Sequence, residues 1–120
     1  MANHECEACI VTCIDFRLQE HIDKWVGKNF EPRTFDRVAL AGGVKNLDII
    51  LEQIAVSSRL HHIQRVVLIN HEDCGAYGEV GTQEKHAEDL KNASSQVKEE
   101  LPDVSVETYY LHLNGTFEAV

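Results

Sequence analysis

Arg65-Val66-Val67-Leu68-Ile69-Asn70 is the stretch that decides the fold: four apolar residues in a row, three of them β-branched, between a cation and an amide. A short, unbroken apolar run rich in β-branched residues reads as a strand buried in the middle of a sheet. His71 stands at its carboxyl end, in the string His71-Glu72-Asp73-Cys74-Gly75, and a turn carrying Gly75 and Gly78 follows.

Upstream, Ala8 to Asp15 contains Ile10, Val11 and Ile14 with little charge and reads as a second buried strand, running into Cys13-Ile14-Asp15-Phe16-Arg17. From Arg17 to Gly27 the spacing of Leu18, Ile22, Trp25 and Val26 predicts a helix. Phe35 to Ala41 is a further strand, ended by Gly42-Gly43, where the missing side chains let the backbone turn tightly or approach a ligand. Asn46 reads as the N-cap of a helix that buries Leu47, Ile50, Leu51, Ile54 and Ala55, with Asp48 at its positive end.

Downstream of the central strand, a mostly polar helix spans about 82–101 with Ala87, Leu90, Val97 and Leu101 as a sparse apolar stripe, and Pro102 ends it. Val104 to Leu113 is a last strand of mixed polarity, which places it near an edge, and Asn114-Gly115 offers a turn. Strands alternating with helices imply an α/β fold: a parallel-core sheet of about four strands in the order 2-1-3-4, joined by right-handed crossovers and flanked by helices. The 120 residues show no internal repeat, so one domain over 1–120 is expected.

The chain is 43% apolar and carries 11 basic against 20 acidic residues, a formal charge of -9. Scattered acids and no basic cluster argue against a nucleic-acid groove or an anionic membrane surface as partner. No apolar stretch approaches the roughly 20 residues of a membrane span, and the start has no secretory pattern, so a cytoplasmic protein is expected. In a reducing compartment the four cysteines are thiols or metal ligands rather than two disulfides. Cys6 and Cys9 precede the first strand, whereas redox pairs of that spacing open a helix after one, and they are read as structural.

In a sheet of this kind sites form beyond the carboxyl ends of strands, where the chain reverses its direction across the sheet. If the first and third strands are neighbours there, Cys13, His71 and Cys74 converge. Two thiols and an imidazole fill three corners of a zinc tetrahedron and leave one for water, the arrangement of a catalytic rather than a structural site. Gly42 and Gly43 would reach the same rim as substrate-binding backbone. Asp15 would accept a hydrogen bond from zinc-bound hydroxide, and Arg17 would hold that carboxylate off the metal. The spacing does not suit a phosphatase-like nucleophile, which needs five residues between cysteine and arginine; Cys13 and Arg17 have three.

Cys13-x-Asp15-x-Arg17, Ala41-Gly42-Gly43 and His71-x-x-Cys74-Gly75 together resemble the β-class carbonic anhydrases in order and context, over about two thirds of the chain. The resemblance implies a zinc enzyme that reversibly hydrates carbon dioxide to bicarbonate, with Cys13, His71 and Cys74 as ligands and Asp15 and Arg17 as the dyad beside them. It also implies a homodimer or higher homo-oligomer. Gly43 stands where that family more often has Asn, and Glu72 where it has Ser or Thr. A thiolate-rich shell acidifies water less than three imidazoles do, so activity should rise with pH. Two other readings share the residues: hydrolysis of carbonyl sulfide or carbon disulfide, and a non-catalytic zinc-binding assembly module. His21, His61, His62, His86 and His112 are read as surface or structural, with no proton carrier singled out.

Overall fold

Nine paired positions define the centre of the sheet in a computed structural model that describes residues 4–120: five of β1 (Ala8–Thr12) against β2 (Phe35–Ala39) and four of β1 against β3 (Arg65–His71), in the register Ala8↔Phe35 and Ala8↔Arg65.

 All five residues of β1 are buried, as are the last six of β3, because side chains alternate to two covered faces. Among the described residues the sheet has five strands in the order β2-β1-β3-β4-β5, where β4 is Ser105–Leu111, parallel to β3, and β5 is Phe117–Ala119, antiparallel to β4. The expected order 2-1-3-4 is present, and β5 is an addition to it. That strand is three residues long, too short to show any alternation.

The helices are α1 (Gln19–Asn29), α2 (Leu47–His61) and α3 (Gln83–Glu100). On one face of the sheet α1 lays Ile22 and Val26, with Leu18 just before it, against Ala8, Ile10, Val67 and Ile69. On the other, Ile50 and Ile54 of α2 and Leu90, Ala93 and Val97 of α3 pack on Cys9, Val11, Val66 and Leu68. The alternate residues of β1 and β3 therefore divide between two cores. Leu18 occupies the N-cap position of α1 with no side-chain cap, a loss of about 1 kcal/mol. Leu18, Ile22 and Val26, each contributing about 1.5–3 kcal/mol by burial, outweigh it, so packing holds this helix.

Four local expectations are corrected. Ala55 of α2, read as part of its buried face, is exposed, and Ile14, read within the first buried strand, lies past its end and is exposed. Asn46 sits at the N-cap of α2 but makes no side-chain cap hydrogen bond, whereas Thr82 does cap α3, accepting from the Lys85 N–H. In α3 the buried stripe begins at His86 rather than Ala87, which is only partly covered. A polar residue took the core position because buried partners await it. Strand and helix bounds otherwise shift by a few residues: the first strand stops at Thr12 and the second at Ala39, since the chain leaves the ladder to build the rim described next.

Candidate metal centre

β1 and β3 are neighbours although the chain visits β2 between them, so the reversal of direction lies between their carboxyl ends. Cys13 follows the end of β1, and its Sγ accepts a hydrogen bond from the Gly42 N–H at 3.3 Å. Gly42 and Gly43 have φ of 87° and 59°, a left-handed backbone that strains other residues. At Gly43 a side chain would also collide with Asn70, its Cβ running into Oδ1. The same Oδ1 accepts the Val44 N–H at 3.1 Å, so Asn70 clamps the loop that faces Cys13.

His71 is the last residue of β3, and its Nδ1–H donates to the Glu72 carbonyl at 2.7 Å. That bond fixes the tautomer with a lone pair on Nε2, a buried atom with no hydrogen-bond partner among the described residues. Cys74 comes back to it through a turn in which Asp73 adopts φ 58°. The two sulfurs are 4.0 Å apart, and the three donor atoms all lie within 4.8 Å of one another. A tetrahedral zinc with bonds of about 2.3 Å to sulfur needs an S···S edge of about 3.8 Å. The donor set and its orphaned nitrogen fit the ion. Both cysteines are free thiols.

Electrostatics favour the same reading. Burial pushes the Cys13 thiol up, but the neighbouring His71 ring and the backbone N–H groups of Gly42 and Asp15 outweigh it and bring it down to about 7. Burial raises Cys74. The Cys13 thiol is thus close to the thiolate form at neutral pH, and the Cys74 thiol would give up its proton to a bound cation.

Asp15 stands beside this trio, its Oδ2 3.9 Å from His71 Nε2. Arg17 grips it from three directions: Nη2 to Oδ2 at 2.7 Å, Nε to Oδ1 at 3.1 Å, and the backbone N–H to Oδ1 at 2.8 Å. The hydrogen bonds from Arg17 hold the Asp15 carboxyl down at about 2, against a smaller opposing effect of burial. Arg17 is itself anchored, through Nη1 to Asp73 Oδ2 at 3.0 Å and Nη2 to the Asp73 carbonyl at 2.9 Å.

Asp73, Asn70, Tyr77 and Gln19 were not singled out in the sequence. Asp73 carried a signal, as an acid inside the His71–Cys74 turn. Gln19 Nε2 donates to the carbonyls of Cys13 and Asp15, at 3.2 and 2.8 Å, which is visible only once the loop is folded. Asn70 Nδ2 donates to Tyr77 Oη at 3.1 Å and to His86 Nδ1 at 2.9 Å, and the Tyr77 hydroxyl donates to Asp89 at 2.8 Å. His86 is therefore a structural residue behind the site. Among the other histidines, His61 pairs with Asp36 and His112 with Glu118.

Residues 3–120 match the family described as "Putative carbonic anhydrase". An uncharacterized protein of Rickettsia conorii is 29% identical over 136 residues, covering 98% of this chain and 73% of that protein. The fold is similar to a carbonic anhydrase from Streptococcus mutans, with TM-score 0.72 and 18% identity over 100% of this chain and 86% of that one. It is similar also to a carbonic anhydrase from Glaciozyma antarctica, with TM-score 0.69 and 21% identity over 93% and 80%. A carbon disulfide hydrolase in its apo form gives TM-score 0.62 and 16% identity over 95% and 77%. The chain belongs to the carbonic anhydrase family that its sequence matches.

Proposed function

We propose that this member of the carbonic anhydrase family binds one zinc ion through Cys13, His71 and Cys74 and reversibly hydrates carbon dioxide to bicarbonate. The observation that carries the reading is the buried, unpartnered Nε2 of His71 aimed at two thiols, with a restrained carboxylate next to it. Zinc held there would supply Lewis acidity to a water, less strongly than in a three-imidazole site, so the nucleophile would form toward the alkaline side. Asp15 would offer Oδ2 as a hydrogen-bond acceptor beside the ion, orienting the attacking oxygen. Arg17 and Asp73 keep Asp15 ionised and in place, so it acts as an acceptor instead of a fourth ligand. Gly42 and Gly43 bring backbone close to the same rim as the surface against which the small substrate rests.

Beside Asp15, Ile14 and Phe16 are 58% and 87% exposed. Two large apolar side chains at the mouth of the site support a homodimer in which a second copy covers them. Similarity to a carbon disulfide hydrolase favours one other reading, hydrolysis of carbonyl sulfide or carbon disulfide by the same groups. Stopped-flow measurement of carbon dioxide hydration by zinc-loaded protein tests the proposal. Hydration above the buffer rate, lost in Cys74→Ser, supports it; sulfide release from carbon disulfide without hydration selects the other substrate. Bound zinc with neither activity would leave a metal-binding module and overturn catalysis.

A further inference from the structure

Cys6, Asp36 and His61 form a second cluster, with their donor atoms all within 4.8 Å of one another. It lies at the other end of the sheet from Cys13, seven residues back along the chain, or roughly 20 Å at about 3.3 Å per residue. Three separate segments deliver the groups: Cys6 precedes β1, Asp36 is the second residue of β2, and His61 is the last of α2. Backbone bonds set their spacing. The Cys6 N–H donates to the His61 carbonyl at 2.9 Å, and the pairing Cys9↔Asp36 fixes β2 against β1.

We propose that Cys6, Asp36 and His61 bind a second divalent cation of the zinc class. Sulfur, imidazole nitrogen and carboxylate oxygen are the three donor types zinc accepts, and its tetrahedron needs donor separations of about 3.3–3.8 Å; the wider pairs, within 4.8 Å, would contract by at most about 1.5 Å, while His61 Nδ1 and Asp36, 2.6 Å apart, would open by roughly 0.7 Å. The site opens into a depression of about 330 Å³ lined also by His4, Glu5 and Arg33. His4 and His61 have ring centroids 6.3 Å apart. Arg33 opposes a cation, while Asp36 and Glu5 favour it. Asp36 is engaged by His61 Nδ1 at 2.6 Å and by the Ser57 hydroxyl at 2.6 Å, rather than by a lysine or arginine that a metal would have to displace. Burial and the Asp36 charge push the Cys6 thiol up, and a cation between the two groups removes the second cause. Binding releases the Cys6 thiol proton to solvent and moves the neutral His61 to the tautomer protonated at Nε2. Cys9 keeps its structural role: it is fully buried and raised to about 12, first by burial. Cys6 thereby departs from the structural role expected of it.

The inference is independent of the proposed activity, and the test counts metal. Parent protein equilibrated with buffered Zn²⁺ and analysed by native mass spectrometry should take up two equivalents per chain. Cys6→Ser and His61→Ala should each weaken one equivalent by more than about 100-fold while the other, and any hydration activity, remains; Cys74→Ser should remove the other instead. Circular dichroism checks that the variants are folded. In parent protein titrated with Co²⁺, sulfur-to-cobalt charge transfer should grow by about half with the second equivalent, as one thiolate joins two. A single equivalent at micromolar free zinc, a second equivalent that survives both substitutions, or no further charge transfer would overturn the site.

Discussion

Replacing His86 should change how stability responds to acid more than it changes stability at neutral pH. His86 is 0% exposed and Asn70 can only donate to its Nδ1, because the amide oxygen of Asn70 is already taken by the Val44 N–H. Burial, with a smaller contribution from His71, therefore carries the imidazole down to about 4, while Asp89 acts weakly in the opposite direction. The neutral ring is the form the fold requires. A depressed histidine stabilises the fold fully above the unfolded value near 6.5 and loses that contribution as pH falls toward 4. The loss amounts to about 3 kcal/mol below both values and about 2 kcal/mol at pH 5, to within about a factor of two. Urea unfolding of zinc-loaded parent and His86→Gln at pH 7.5 and pH 5 measures it. Glutamine can still accept from Asn70, and its lost ring contact with Tyr77 lowers stability equally at both pH values. The variant should therefore lose about 2 kcal/mol less than the parent between them. Equal losses would refute the argument.

Asp15→Asn should keep zinc, shown by metal analysis, yet cut the hydration rate by about 10²-fold or more, the scale of a positioned proton-handling group. Arg17→Ala should also retain the metal and lower the rate, because Asp15 is then free to approach it; a wild-type rate would remove the dyad from the mechanism. Gly43→Ala should lower the unfolding midpoint by an amount corresponding to roughly 1–3 kcal/mol, read by thermal denaturation, since it combines a left-handed backbone with the collision at Asn70. Light scattering should show a dimer, and Phe16→Glu should shift it toward monomer; an active monomer would defeat the covered-mouth reading.

The sheet order was legible because β1 and β3 are apolar on both faces, a pattern that places them at the centre, and because Cys13 and His71 follow their ends. The meeting of Cys13, His71 and Cys74 followed from topology once those two strands were neighbours. β5 was not legible, being three residues long and held by pairing with β4 rather than by any periodicity of its own. The clamp of Asn70, Tyr77 and His86 was also hidden. Each of those residues is an ordinary polar side chain in sequence, and only the folded chain shows that one amide reaches the Gly43 loop and α3 at once. Cys6, Asp36 and His61 meet for the same reason, across segments that sequence spacing does not relate.

The ladder between β1 and β3 ends at Val11↔Leu68, a few residues short of Cys13 and His71. Since successive side chains point to opposite faces, a slip of one residue would turn Cys13 away from His71 and exchange the two cores. Under the proposed zinc binding the ion would act as a proofreader of strand alignment, since only the correctly aligned pair would complete its coordination. At free zinc 1,000-fold above the dissociation constant, alignment gains about 4 kcal/mol over any misaligned form that cannot bind. Chelation should release that penalty, so refolding without metal should yield more misaligned chains than refolding with it.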